Sequence, residues 1–258
     1  MEIIDVDRSN IDTEHICCAI SDKKGESCVE SKKEWMKGCF DDGLVFKKLN
    51  TRGKVLIEYI PAENAWCPVE AEGYMFVDCF WVSGQFKDQG YANKLLDACI
   101  EESKRLGKKG LVALSSKKKM PFLSDPGYYK HRGFKVCDTA APHFELLVYQ
   151  FNEARSGEQE SMPRFRDCCR AGTTDHDKGF VLYYSNHCPH TVKYVPVIEK
   201  AAADRGVGFK SIRICTKEQA RNAPSAFTTY SLFYNGRFVT NEILSEGRFN
   251  KLMNEKGL

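Results

Sequence analysis

No two of the twelve cysteines are spaced as C-x-x-C. That absence removes zinc-ribbon spacing and favours reduced thiols over a metal site. No run of about 18 apolar residues occurs, so no segment reads as a membrane span. Neither sign of charge is in excess: Lys+Arg 38 against Asp+Glu 35 leaves a net +3, too balanced to imply nucleic acid. The opening MEIIDVDRSN is charged and strand-like, which is unlike a signal peptide. Without a disulfide framework or a repeat, the expectation is a cytoplasmic protein with no membrane or nucleic-acid partner.

Hydrophobic residues make up 42% of 258, enough for one large core or two ordinary ones. Residues 2–6 alternate as a strand. Ile11 to Ile20 has helical spacing behind the cap candidate Asn10, and Cys28 to Phe40 reads as a second helix. Strands follow at 44–49 and 54–60, around the hairpin signal Asn50-Thr51-Arg52-Gly53, and at 74–82. Gly90 to Leu106 is the clearest helix: Ala92, Leu95, Leu96, Cys99, Ile100, Ser103 and Leu106 share one face, and Gly107 ends it. A strand at 111–115, a short helix at 127–132 and strands at 134–137 and 144–151 complete this part.

Residues 152–178 are polar, rich in breakers and aperiodic, as in a linker that partly packs. From 179 a βαβαββα order begins afresh. The expected division is a domain at 1–151, a linker at 152–178 and a second domain at 179–258.

The strand at 74–82 runs into Val82-Ser83-Gly84-Gln85-Phe86-Lys87-Asp88-Gln89-Gly90-Tyr91-Ala92, which opens the long helix. A strand that turns into a helix start gathers free N–H groups at the positive end of the helix dipole, a natural seat for a diphosphate. Gly90 removes the Cβ that would bar close approach, and Ala92 is small. Lys87-x-x-Gly90-x-Ala92 resembles the Arg/Gln-x-x-Gly-x-Gly/Ala signature of the GNAT acyltransferases, with Lys87 departing from it. Tyr128-Tyr129-Lys130-His131-Arg132-Gly133-Phe134 is similar to the same family's Tyr-x-x-x-Gly-Phe segment.

The resemblance implies an α/β (α+β) GNAT fold and acetyl-CoA as co-substrate. It also implies N-acetyl transfer to a small-molecule amine or amino-acid-like acceptor. Val82, Lys87, Asp88, Gln89, Gly90, Tyr91 and Ala92 would hold the donor, and Tyr129 would protonate the departing thiolate. Some family members carry a basic Glu on the strand before the turn. The matching residue is Phe76, and Asp78, two residues on and on the same strand face, is the candidate base or else a hydrogen-bonded strand carboxylate. Trp66, Tyr74, Phe80 and Trp81, with the first helices, are either the acceptor pocket or core. Lys117-Lys118-Lys119 is either a phosphate contact or a solvated loop, the latter favoured.

In the C-terminal part, Asn186-His187-Cys188-Pro189-His190-Thr191 follows a strand and opens a helix that contains Pro196. This resembles a thioredoxin-like fold, and the chain as a whole is similar to GNAT proteins with a YoaP-like C-terminal domain. Thiol exchange needs two sulfurs, and Thr191 stands where the second would be. Cys188 is left either as a monothiol site, with the N-terminal part an acyl-CoA-binding module, or as a leftover in a scaffold.

Overall fold

The computed structural model describes residues 1–16, 22–24, 26–151 and 162–258. Its larger sheet has seven strands in the order β1 (Ile3–Val6), β2 (Val45–Leu49), β3 (Val55–Pro61), β5 (Met75–Val82), β6 (Gly110–Ser116), β8 (Phe144–Gln150) and β7 (Lys135–Ala140). All its pairings are antiparallel except β5 with β6. Helix α1 (Cys28–Phe40) lies on one face and α2 (Tyr91–Arg105) on the other. The reason is patterning. Trp35, Met36 and Cys39 make one buried stripe on α1, and Leu95, Leu96, Cys99 and Ile100 make one on α2. The sheet is covered on both sides, so β3 reads as an almost unbroken apolar run, Val-Leu-Ile-Glu-Tyr-Ile-Pro.

Strand β5 departs from regularity in two places. Its ladder with β3 slips between Glu58 and Tyr59, leaving Asp78 as an extra residue between Val77 and Cys79. Such a bulge re-aims side chains. Its ladder with β6 covers only Met75–Val77 against Leu111–Ala113, although β5 runs on to Val82 and β6 to Ser116. The far end of β5 is therefore unpaired on its β6 side, while β3 still pairs with it on the other.

The smaller sheet has the order β11 (Phe209–Arg213), β10 (Phe180–Tyr184), β12 (Tyr230–Tyr234), β13 (Arg237–Thr240). Here β10 and β11 are parallel and the other pairs antiparallel. Helices α4 (Pro189–Asp204) and α6 (Glu246–Glu255) bury Val195, Ile198, Ala201, Phe249 and Met253 against it. A short α5 (Lys217–Arg221) opens with a full capping box built by Thr216 and Gln219. A short α3 (Pro126–His131) precedes β7 and is capped by Asp125.

The two sheets are not strung apart. The segment after the larger sheet adds β9 (Arg164–Phe165) to β4 (Val69–Glu70), and Phe165 and Cys169 are fully buried in the N-terminal core. Helix α1 packs on α4. Lys217 Nζ bonds Asp42 and Asn64 at 2.8 Å, Asn241 Nδ2 donates to the Pro121 carbonyl at 2.8 Å, and the Cys67 thiol donates to the Ala226 carbonyl at 3.3 Å. Among the described residues, no helix is long and apolar enough to cross a membrane.

The expected helix from Ile11 is not formed where it can be seen: residues 8–14 are turns, and 17–20 lie outside the described residues. Asn10 explains this. Its side chain accepts from the Asp7 N–H and donates to the Asp5 carbonyl, closing a turn on itself rather than capping a helix. Of the expected linker, 152–161 lies outside the described residues.

Candidate functional site

The end of β5 leads through the turn Gly84–Phe86 into α2. Phe86 anchors the turn, buried edge-on to Tyr91 with ring centroids 6.2 Å apart. Lys87, Asp88, Gln89 and Gly90 are exposed, and Tyr91 and Ala92 half-buried. Asp88 and Gly90 hold φ of 60° and 78°. Glycine meets that requirement without strain, and a Cβ built on Gly90 would meet nothing within 4 Å, so open space lies above it. Among the described residues, the backbone N–H groups from Asp88 to Asn93 find no acceptor; the first bond into the helix is Lys94 N–H to the Gly90 carbonyl. These are the free donors of a helix start, carried on exposed residues except at the half-buried Tyr91 and Ala92. Val82 closes β5 beside them, half-buried and paired with Val55.

Across the turn, α3 is tied to α2. The Tyr128 hydroxyl and an Arg132 guanidinium N–H reach Asn93 Oδ1 at 3.1 and 2.9 Å. Tyr129 is fully buried between Phe80 and Phe134, with ring centroids 6.1 and 4.7 Å away. Burial pushes its phenol well above the ordinary value, opposed by Ser124, and its hydroxyl lacks a well-formed hydrogen bond.

On the α1 side of β5 lies a cavity of about 370 Å³. Its walls include Trp66, Phe76, Phe80, Trp81 and Leu114 from the N-terminal half and Phe227 from the C-terminal half. Asp78 lines it, as does Phe76, so the parity argument holds for those two. The bulge adds Cys79, which parity would have sent to the other face. Trp66, Phe80 and Trp81 are where the pocket was expected; Tyr74 is core instead. The lysines at 117–119 are exposed, and Lys119 pairs with Asp125 at 2.8 Å, as a solvated loop would.

The head of α4 closes the cavity with His187, Cys188, Pro189 and His190. Cys188 carries no disulfide. The Thr191 hydroxyl is spent on the Ser185 and Cys188 carbonyls at 2.7 Å, so the first turn of α4 offers no resolving group. Among the described residues, the first turn of α4 thus lacks the C-x-x-C pair of a dithiol exchange site.

Sequence reasoning missed Lys32 and His187, which line this wall, and Glu58, which is buried behind it. Glu58 is fully buried. One of its oxygens takes the Lys32 ammonium at 2.7 Å, the other His187 Nε2 at 2.6 Å. His187 Nδ1 lies 2.9 Å from Thr229 Oγ1, the ring tilts against Trp35 at 4.8 Å, and Asp78 Oδ2 stands 3.7 Å from Nε2. Burial works against the Glu58 charge, but Lys32 and His187 hold its carboxyl below the ordinary range. Burial, reinforced by the Glu58 charge, raises Asp78, while His187 and Lys32 oppose the shift. One signal was legible: Glu58 is the only charge in the apolar run 55–61, and a buried charge requires a partner. Ligand atoms of Glu58, Asp78 and His187 lie within 4.8 Å of one another, a spacing a metal ion could use. The Lys32 ammonium already neutralises Glu58 there, so the cluster is built as an ion-pair network.

The YoaP-like family model matches residues 209–251. The N-acetyltransferase YoaP of Bacillus subtilis (strain 168), itself named as uncharacterized, is 41% identical over 251 residues, covering 97% of this chain and 98% of that one. Among solved structures, the PaiA N-acetyltransferase of Thermoplasma acidophilum in complex with coenzyme A aligns with 58% of this chain and 100% of its own, at 13% identity and TM-score 0.41. YncA of Salmonella typhimurium, solved with its cofactor acetyl-CoA, aligns with 62% of this chain and 98% of its own, at 15% identity and TM-score 0.42. Identity of 41% across nearly the full length of both chains makes this chain a member of the family of the N-acetyltransferase YoaP.

Proposed function

We propose that this enzyme transfers the acetyl group of acetyl-CoA to the amine of a small molecule with an apolar or aromatic body. The observation that carries the reading is the run of unclaimed N–H groups from Asp88 to Asn93, just beyond the end of the same strand that presents Asp78 to an aromatic cavity. Those donors, the α2 dipole and the open space over Gly90 fit a diphosphate, with Lys87 adding a point charge at the rim. Acetyl-CoA supplies an activated acyl group as a thioester. The unpaired edge of β5 near Val82 has backbone N–H groups to spare for the thioester oxygen. Asp78 takes the proton of the amine, its raised pKa bringing it closer to the range of an effective base. Tyr129 is the acid for the leaving sulfur: burial keeps its phenol protonated, and no strong acceptor holds that proton.

In this reading residues 1–151 form the catalytic domain, 152–178 the connection and 179–258 a thioredoxin-like domain. The β11-β10-β12-β13 order and a proline within α4 support that assignment. Two measurements test the reading together. Calorimetric titration with CoA should give saturable binding that weakens with salt. A panel of primary amines with aryl or branched alkyl bodies should include members that drive release of CoA thiol from acetyl-CoA. Absence of any CoA affinity would end the proposal.

A further inference from the structure

The C-terminal half does more than cover the cavity. We propose that His187, at the head of α4, is the positioning residue that keeps Asp78 ionised and aimed at the acceptor amine, so that the active site is completed only by both halves of the chain. This rests on the acetyl-transfer reading above, with Asp78 as base.

Hydrogen-bond chemistry constrains the protons on the His187 ring. A carboxylate only accepts, so the 2.6 Å contact to Glu58 places a hydrogen on His187 Nε2. The group at Nδ1 is the Thr229 hydroxyl, which accepts as readily as it donates. These contacts are met with or without a second hydrogen on Nδ1, so it is the charge balance that argues for the proton: Glu58 and Asp78 set two carboxylates at this wall against the single ammonium of Lys32. As imidazolium it completes a balanced quartet: Lys32 with Glu58, His187 with Asp78. Without the imidazolium, Asp78 would face the Glu58 carboxylate across a buried wall with only Lys32 to compensate for both. Among the described residues, the titratable and charged groups around the pair and its cavity are Lys32 and Cys39 on α1, Lys54 just before β3, Glu58 on β3, Cys67 in the loop after β3, Cys79 on β5, and Cys188 and His190 at the head of α4. The loop before β12 contributes only the neutral Thr228 and Thr229.

Protons and electrons balance in the step. The arriving ammonium gives one proton to Asp78 and the nitrogen attacks. As the N–C bond forms and the C–S bond breaks, the sulfur leaves with the bonding pair and takes the Tyr129 proton, the amine's second proton restores the phenol, and the third stays on the amide nitrogen. Asp78 then returns its proton to water through the cavity.

The test uses the full chain carrying carbon-13 in aspartate side-chain carboxyls, with the Asp78 resonance assigned by its loss in Asp78→Asn. Its titration is followed by NMR in the wild type and in His187→Gln, with CoA binding measured calorimetrically on the same samples. Removing an adjacent positive charge should move the Asp78 midpoint up by about one unit or more, with CoA affinity unchanged. In the amine assay the acid limb of the rate should move up with it, so that activity lost near neutrality returns at higher pH. A merely structural role would lower the rate at every pH without moving the limb. Should His187→Gln not fold, Thr229→Val, which removes only the Nδ1 partner, should give a smaller shift of the same sign. An Asp78 midpoint that is unmoved or falls overturns the proposal. So does tight binding of zinc ion that both Asp78→Asn and His187→Gln abolish. If the wild type fails to bind CoA, the acetyl-transfer reading falls while the titration still decides whether the pair exists.

Discussion

At the Asp88–Asn93 turn, the groups that face outward are main-chain N–H groups, set by one positive-φ glycine and a helix start. At the cavity wall they are side chains, Lys32 from α1, Asp78 from β5 and His187 from the head of α4, with Glu58 of β3 buried behind them. A site made of backbone is local, contiguous and tolerant of side-chain change. A site made of buried charges is assembled by tertiary packing, and each member depends on the others. The first fits the part of a reaction common to all substrates, the second the part peculiar to one acceptor.

If that division is right, substitutions on the two sides should fail differently. The largest effect should come from Asp78→Asn, with kcat lower by about 10²–10⁴ and CoA affinity retained. The wild-type rate should fall as pH drops through the raised Asp78 pKa, above the ordinary carboxylate range, and that limb should be missing from the variant's residual rate. Lys32→Met leaves Glu58 and Asp78 buried without their ammonium, and should cost about 3–5 kcal/mol in denaturant unfolding. Tyr129→Phe should lower turnover by about 10² with unchanged acetyl-CoA affinity and no loss of stability, since the hydroxyl it removes is poorly bonded. Equal turnover would remove the acid role. Gly90→Ala places a Cβ at φ 78°, which costs about 1–2 kcal/mol of stability. It should also weaken CoA by about tenfold, or 1.4 kcal/mol, with kcat at saturation intact. Lys87→Ala should weaken CoA least, by about 0.2–1 kcal/mol, and the difference should vanish at high salt.

The same contrast explains what could be read from the sequence. The turn announced itself because backbone conformation and helix starts leave contiguous marks: Val82, Gly90 and Ala92 fall as a strand-to-helix turn requires. The amphipathic α2 and the strands of both sheets were legible for the same local reason. The quartet was not. Lys32 sits among the charges of α1 like any solvated lysine, and His187 looked like a neighbour of Cys188 rather than a partner of Glu58. Their meeting depends on α4 packing against α1, which no periodicity records. The bulge at Asp78 was hidden too, because strand parity assumes an unbroken ladder. The helix expected from Ile11 is not formed over its described residues 11–16, where an Asn side chain prefers its own backbone to a cap.

Acetyl transfer between the backbone turn and the two-sided cavity is the central claim. It is tested most directly by following CoA thiol release from acetyl-CoA by the full chain, with and without an aromatic primary amine, in the wild type and in Asp78→Asn. The predicted result is release that requires the amine and collapses in the variant while CoA still binds. Release that ignores the amine, or that Asp78→Asn leaves unchanged, would contradict it.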